Sequence, residues 1–341
     1  MMVVRPLNAN DHQALRDLAR KTGKGFTSLQ DDDRQVARKL EATLEAWQSD
    51  GIPEDAFYLF VLEDTETKQV VGICGLEAAV GLNEPWYNYR VGTLLHSSRE
   101  LGVCNLVNTL TLSNDHTGYS ELCTLFLAPE ARHSKNGSLL SKSRFLFMAE
   151  FRQRFNEYTI AEMRGYSDEY GVSPFWEAVG RQFFSMEFAQ ADQLSATDKV
   201  FIAELMPRNP IYTNLLPEDA QQVMGEVHPA TVPARKLLES EGLRYTGYID
   251  IFDGGATLVA RTNDVRAVKD SRQARIQITD EKPESELYLV SNTEFRNFRC
   301  CMTPLQDLGE GVVALPRQVA EALRVDDGDR VRVVLLSAGG K

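Results

Sequence analysis

Residues 122–148 constrain the fold more than any other part of the chain. The segment 122–127 alternates apolar and small side chains like a half-buried strand, and Ala128 and Pro129 end it. A basic loop follows, Arg132, His133, Ser134, Lys135, Asn136 and Gly137, and Ser138 opens a helix expected to run through Phe155. A strand that passes at once into a helix needs sheet neighbours on its edges and a sheet face under the helix, which is a mixed α/β arrangement. The junction also has a chemical reading. Unpaired N–H groups and the positive end of the helix dipole converge there, which suits a phosphate. A solvated turn hinged at Gly137 would leave the same sequence. It is not a P-loop, because GxxxxGK followed by Ser or Thr is absent.

The flanking sequence extends that picture. Residues 3–6 read as a strand, followed by a helix capped at Asn10 or Asp11 and spaced on Leu15, Leu18 and Ala19. A turn is marked at Gly23 and Gly25, then 31–47 is a second amphipathic helix. Residues 57–63 and 70–79 make a hairpin around Asp64, Thr65 and Lys68. An aromatic cluster (Trp86, Tyr87, Tyr89) precedes further β segments, the last over 103–112. Another strand is expected over 159–163 and a helix from Phe175. Beyond Asn209, 217–223 and 231–241 look helical, 245–252 looks like a strand, and Gly254 and Gly255 turn the chain. After about Thr262 the segments are short and alternating (274–278, 286–291, 295–303, 330–336), which suggests a small β-rich end. The fold class is therefore α+β, a mixed sheet flanked by helices with a β-rich tail.

Composition excludes several functions. The 341 residues carry 37 Lys and Arg against 49 Asp and Glu, a net charge of −12, so nucleic acid and anionic membrane are disfavoured as partners and a cationic substrate is attracted. No apolar run reaches the roughly 18 residues of a membrane span, and no leader pattern opens the chain, so a cytoplasmic location is expected. The five cysteines (Cys74, Cys104, Cys123, Cys300, Cys301) form no CxxC pair, which disfavours both a disulfide framework and a zinc site. HExxH is absent and the histidines are scattered, so no metal is expected. Cys123 in its apolar alternation reads as a core residue before it reads as a nucleophile.

The motif around Arg132 resembles the acyl-CoA pyrophosphate loop of the GNAT acyltransferase superfamily, whose pattern is Arg or Gln, two residues, Gly, one residue, Gly or Ala. Arg132 and Gly137 match its first and last positions, and Lys135 stands where the first glycine belongs. Longer runs, EPWYNYRVGT, SNDHTGYSELCTLFL, AEMRGYSDEYGVSPFW, FIAELMP, VHPATVPA and YIDIFDGG, are similar to the arginine N-succinyltransferase family. The resemblance covers the chain to about Leu258 and reappears in LPRQVAEAL and GDRVRVV.

That resemblance implies transfer of succinyl from succinyl-CoA, a co-substrate rather than a resident cofactor, to the α-amine of L-arginine. It places the catalytic histidine on His228 and the succinyl-CoA contact on Leu125. The CoA-holding set is then Leu125 and Leu127 on the strand with Arg132, Lys135, Gly137 and Ser138 at the loop and helix start. On residues alone, His228 also reads as a loop cap, and His116 is its rival. An imidazole near its usual pKa can protonate a thiolate at neutral pH. The guanidinium of arginine needs carboxylates or aromatic faces; Asp115 and Glu162 are the chosen candidates, with Glu121, Asp168, Trp86 and Tyr89 also eligible. Arg90 or Arg164 is available for the succinyl carboxylate. No GxSxG is present, so amine is expected to attack thioester directly. A non-catalytic acyl-CoA or arginine sensor is the competing class.

The expected organisation is a GNAT-like domain over 1–207, a second helix-strand unit over 208–262 carrying His228, and a β-rich domain over 263–341. The middle unit either forms a second, degenerate half or enlarges the first sheet. Self-association into a homo-oligomer is expected from the family resemblance.

Overall fold

The computed structural model describes residues 1–22, 27–195, 200–281 and 283–337; the turn expected at Gly23 and Gly25 lies outside them. The chain opens with β1 (Met2–Pro6), α1 (His12–Thr22) and α2 (Asp33–Gln48). Asn8 and Asp11 form a capping box just before α1, and Asp32 caps α2 through the amides of Arg34 and Gln35. The strands β2 (Phe57–Asp64) and β3 (Val70–Glu77) form the expected hairpin, and β4 (Asn88–Ser98) and β5 (Val103–Ser113) a longer one. Then come β6 (Ser120–Leu127), α3 (Asn136–Glu150) and β7 (Tyr158–Glu162).

The helix α3 starts two residues before Ser138 because Lys135, left-handed at φ 63°, turns the chain into it. It ends at Glu150, where Phe151 leaves helical geometry and a 3-10 turn, Arg152–Arg154, takes over. A π turn (Trp176–Gly180) runs into α4 (Arg181–Phe184), followed by α5 (Phe188–Ser195), α6 (Val200–Leu205), the two-residue β8 (Ile211–Tyr212), α7 (Glu218–Val223), α8 (Val232–Ser240), β9 (Arg244–Asp250), β10 (Ala256–Arg261) and α9 (Arg266–Lys269). The tail holds β11 (Arg272–Thr279), β12 (Leu287–Asn292), β13 (Cys300–Pro304), β14 (Gln306–Gly309), β15 (Val312–Pro316), α10 (Arg317–Leu323) and β16 (Arg330–Leu335).

All sixteen described strands join one sheet, in the order β14-β15-β11-β16-β12-β13-β1-β2-β3-β6-β7-β10-β9-β4-β5-β8. Of the two arrangements open for the middle unit, the strands adopt the enlarged single sheet: β10 pairs antiparallel with β7, and β9 carries the sheet on to β4. The tail attaches at the opposite side, where β13 meets β1 at Cys300 and Val4.

Burial of apolar faces sets the layers. Leu15, Leu18 and Val36 of α1 and α2 cover one face with Leu59, Val61, Ile73 and Phe126. On the other face α3 is buried all round, and Leu140, Phe145 and Phe147 pack against Tyr58, Phe60 and Leu76. Val319 and Leu323 of α10 cover the tail strands.

Candidate active site

The site begins where two central strands stop pairing. β6 runs parallel to β7 through only two residue pairs, Ser120 with Thr159 and Glu121 with Ile160. Past that point β6 also breaks register with β3, and Thr124 has a left-handed φ of 49°. Such a bulge reverses the alternation of side chains. Leu122 faces the α3 core, and so do Leu125 and Leu127, while Phe126 turns to the α1 and α2 side. Leu125 and Leu127 remain half-exposed although they lie on a central strand. A wedge between β6 and β7 opens where their ladder ends, and Leu125 and Leu127 lie on β6 beyond that point.

Arg144 of α3 braces the bulge. Its side chain is 1% exposed, and its Nη1 donates to the carbonyls of Gly75 (3.3 Å) and Cys123 (3.2 Å) while Nη2 donates to Ser141 Oγ (2.9 Å). A Cβ on Gly75 would stand 2.8 Å from Cys123 Sγ, so only glycine lets β3 approach the bulge this closely.

The basic loop lies at the end of β6. Arg132 Nε donates to Leu127 O (3.0 Å), which folds the loop back on its strand. Ser134 and Lys135 are both left-handed, at φ 50° and 63°, a conformation that glycine adopts more easily than either residue. Asn136 N donates to His133 O and Leu139 N to Lys135 O. The amides of Gly137 and Ser138, in the first turn of α3, have no intrahelical acceptor. A Cβ on Gly137 would meet only Leu127 Cδ2, at 3.9 Å, so packing within the protein does not demand glycine there. Arg132 and Lys135 are exposed and complete an anion-attracting mouth.

His228 approaches from the other side of the wedge. Its backbone N–H donates to Arg164 O (2.9 Å), and Val227 bridges Gly165. Arg164 and Leu125 each lie four residues beyond the last ladder pair of these parallel strands, so both sit at the open end. The ring caps the 3-10 turn Pro229–Thr231: Nδ1 accepts from Ala230 N (3.1 Å). The capping reading of His228 therefore holds, and it leaves Nε2 as the protonated nitrogen of the neutral ring. Burial, and then the Arg164 guanidinium, hold its pKa below the usual 6.5. The segment is propped by Asp253, whose carboxylate accepts from Gly165 N (2.6 Å) and Gly255 N (2.8 Å). Burial and then the neighbouring Asp250 carboxylate push Asp253 well above the ordinary carboxylate range.

A second polar group lies over β7, β10 and β4. Asn88 Nδ2 donates to Glu162 Oε1 (2.6 Å), and Asn88 Oδ1 contacts His116 Nδ1 at 2.7 Å, so the His116 ring carries its proton on Nδ1. Burial lowers the His116 pKa to about 4 and keeps the ring neutral. The His116 ring lies 4.5 Å from that of Tyr248, whose hydroxyl donates to Asp115 Oδ2 (2.7 Å). That bond, with one from Ser113, lowers the Asp115 pKa, and the Arg90 charge acts in the same direction. The two histidines are thus locked in opposite tautomers: His116 presents a lone pair at Nε2 and His228 an N–H.

The fold brings Leu125, Leu127, Arg132, Lys135, Gly137 and Ser138 to one strand-loop-helix junction. It groups Asp115, Glu162 and Arg90 around the Asn88–His116 pair instead, and it holds His228 beside the end of β7. Cys123 is unsuited to nucleophilic attack, since burial and the Glu121 and Glu77 carboxylates raise its pKa. Sequence reasoning missed Asn88, Arg144 and Asp253. The double glycine after Asp253 and a lone arginine within the apolar run of α3 were the available signals. Among the described residues no group of three or more His, Cys, Asp or Glu side chains could hold a metal ion, and no helix is long and apolar enough to cross a membrane.

Comparison with known proteins places this geometry. Residues 2–267 match the family model described as arginine N-succinyltransferase beta subunit, and 272–334 match that of its C-terminal domain. The chain is 54% identical to an arginine N-succinyltransferase of Yersinia pseudotuberculosis over 99% of both chains. It is 51% identical to one of Escherichia coli over 100% of this chain and 99% of the other. A solved structure, subunit AI of the arginine/ornithine succinyltransferase from Pseudomonas aeruginosa, superposes with a TM-score of 0.91 at 37% identity, covering 99% of each chain.

Proposed function

The chain belongs to the arginine N-succinyltransferase family, and on that premise we propose that it moves the succinyl group of succinyl-CoA to the α-amine of L-arginine, giving N2-succinyl-L-arginine and CoA, the first step of arginine catabolism by succinyl transfer. The observation that carries this reading is the open wedge at the end of the β6–β7 ladder, with the α3 N-terminus at one side and His228 at the other.

In this reading the pyrophosphate of CoA lies on the amides of Gly137 and Ser138 beside Arg132 and Lys135. The pantetheine arm runs into the wedge over Leu127 and Leu125, and the β6 backbone receives the thioester oxygen. The neutral amine attacks the carbonyl carbon, a C–N bond forms, the C–S bond breaks, and the proton lost by the amine is balanced by one gained at sulfur. His228, neutral and with Nδ1 capped, donates a hydrogen bond from Nε2–H to the developing thiolate, and the proton that sulfur gains is the one the amine loses, passed on through solvent. Asp115 and Glu162 face the guanidinium, and Arg90 the succinyl carboxylate. The units 1–207, 208–262 and 263–341 divide the work into CoA binding, stabilisation of the leaving sulfur by His228, and support. Five unbridged cysteines and an acyl-CoA donor fit a cytoplasmic enzyme, and the family resemblance favours a homo-oligomer.

The test is release of free thiol from succinyl-CoA with L-arginine, L-ornithine, L-lysine or water as acceptor and acetyl-CoA as the donor control. Arginine-dependent release confined to succinyl-CoA is expected. Silence with every pair, despite measurable CoA binding, would replace the enzyme with a sensor.

A further inference from the structure

Three stretches of chain that are far apart in sequence meet beside His228. Residues 163–165 leave the end of β7, 225–228 lead into the turn that His228 caps, and 253–255 complete the connection from β9 to β10. The first stretch is held from both sides: Met163 N donates to Ala256 O (3.0 Å), while Val227 bridges Gly165 and His228 N donates to Arg164 O. The other two also touch, through Gly225 N and Gly254 O (2.8 Å). Glycine lets them close. A Cβ on Gly165 would stand 2.4 Å from Asp253 O and one on Gly255 2.0 Å from Met163 O, while Gly225 and Gly254 are left-handed at φ 77° and 70°.

Asp253 puts a side chain into this meeting of backbones. Its Oδ2 accepts from Gly165 N (2.6 Å) and its Oδ1 from Gly255 N (2.8 Å), and the charge acting on it is that of Asp250 rather than of a cation. Its own turn is already closed without it. Asp250 Oδ1 accepts from Phe252 N (2.7 Å) and Asp253 N (2.8 Å), and Asp250 N donates to Gly255 O (2.8 Å). Asp253 instead reaches a residue 88 positions away in sequence. The amide it grips belongs to the Arg164–Gly165 peptide group, and the carbonyl of that same group is the acceptor for His228 N. The N–H and C=O of a trans peptide share one plane and point in opposite directions, so holding one aims the other.

We propose that Asp253 is a positioning residue for His228: by holding Gly165 N–H it orients the Arg164–Gly165 peptide group, whose carbonyl fixes the backbone from which the His228 ring projects. The segment 225–228 is then tied to the β9–β10 connection at both ends, at Gly225 by backbone and at His228 through Asp253. The ring needs such support. Its printed hydrogen bond is to Ala230 N, two residues on, so nothing in that bond sets where the turn as a whole sits. A group that must meet a developing charge has to be held within about 0.5 Å by its surroundings. The inference rests on the role given to His228 above, and Asp253 acts through His228 rather than on the reacting atoms.

The full-length chain and its Asp253→Ala variant, which lacks both acceptor oxygens, test it through two readouts. The first is nuclear magnetic resonance of protein isotope-labelled at histidine nitrogen, with His228→Ala identifying the His228 signals. Burial and the Arg164 guanidinium hold the His228 ring below 6.5, so loosening the segment is expected to move its titration midpoint up towards 6.5 while His116 keeps its own. Deleting a negative charge without movement would push the midpoint down instead, so the sign separates position from charge. The second readout is turnover. Asp253→Ala is expected to lower kcat at least about tenfold, the scale of one lost hydrogen bond, with KM for succinyl-CoA unchanged. In a His228→Ala background the same change is expected to cost under about twofold, because the two residues act as one unit. A His228 midpoint that stays or falls, or an equal loss of kcat in both backgrounds, would overturn the inference. Near-normal turnover of His228→Ala would instead remove the reaction role of His228, and the ring signal then decides alone whether Asp253 positions it. If Asp253→Ala does not fold, amide hydrogen exchange of the unchanged chain decides: Gly165 and His228 are expected to be protected to the same degree, and free exchange at His228 would overturn the inference.

Discussion

His228 shows how one residue can satisfy a structural and a chemical reading together. Its Nδ1 caps a 3-10 turn, and because that nitrogen is occupied, Nε2 carries the proton of the neutral ring. The alternatives open on residues alone, cap or proton donor, are two ends of one imidazole. The pH dependence follows with a definite sign. The folded pKa lies below 6.5, so the ring is neutral above that value; as pH falls through the folded pKa the ring takes a second proton, loses the Ala230 bond and sets a cation beside Arg164. Turnover at saturating arginine is expected to fall on the acid side of 6.5 and to carry no His228-dependent step above it. His228→Ala is expected to lose at least about 100-fold in kcat, the scale of removing one preorganised hydrogen-bond donor to a developing negative charge, and to lose that acid limb, with CoA affinity kept. Near-normal turnover in the variant, read by thiol release, would refute the assignment. Cys123 is half-buried rather than part of a core cluster, and its thiol, raised by burial and by the Glu121 and Glu77 carboxylates, is a poor nucleophile.

At the scale of elements, the junction of β6 and α3 was legible because its chemistry is local. A strand, a proline, a basic loop and a helix start follow one another within a few residues, and the N–H groups that a helix start leaves free are a property of any helix. The bulge at Thr124 was not legible. It is stabilised by Gly75 on a neighbouring strand and by Arg144 about two turns into α3, neither of which is near Thr124 in sequence. Gly137 gives the element-scale test. No protein atom blocks a Cβ there, and alanine favours helix over glycine by up to about 1 kcal/mol. Gly137→Ala is therefore expected to leave thermal stability unchanged or raised, while CoA binds about tenfold more weakly, the scale of one hydrogen bond to a charged group. Calorimetric titration with CoA checks it; unchanged affinity would move the pyrophosphate away from this helix start.

For the whole molecule, the tail is tied to the catalytic sheet by more than the β13–β1 pairing. Glu241 at the end of α8 binds Lys142 of α3 (2.7 Å) and Arg266 of α9 (2.7 Å), and these cations also donate to Leu336 O and Leu335 O at the end of β16. Lys142 and Glu241 are almost fully buried, so removing the carboxylate strands two cations in a dry interior. Glu241→Ala is expected to cost about 3–5 kcal/mol, read by denaturant unfolding; a loss under about 1 kcal/mol, the worth of an exposed pair, would show the knot to be wet. By itself the sequence determined what depends on neighbours along the chain: the strand and helix periods, the caps, the phosphate-suited loop, the acidic balance and the family. The tertiary structure decided what depends on residues far apart meeting. It joined the middle unit and the tail to one sheet, opened the wedge by ending the β6–β7 ladder after two pairs, and set His116 and His228 in opposite tautomers through Asn88 and Ala230. Strand pairing and tautomer choice are made by hydrogen bonds to groups distant in sequence or fixed by local backbone geometry, and neither leaves a period or a motif in the order of the residues.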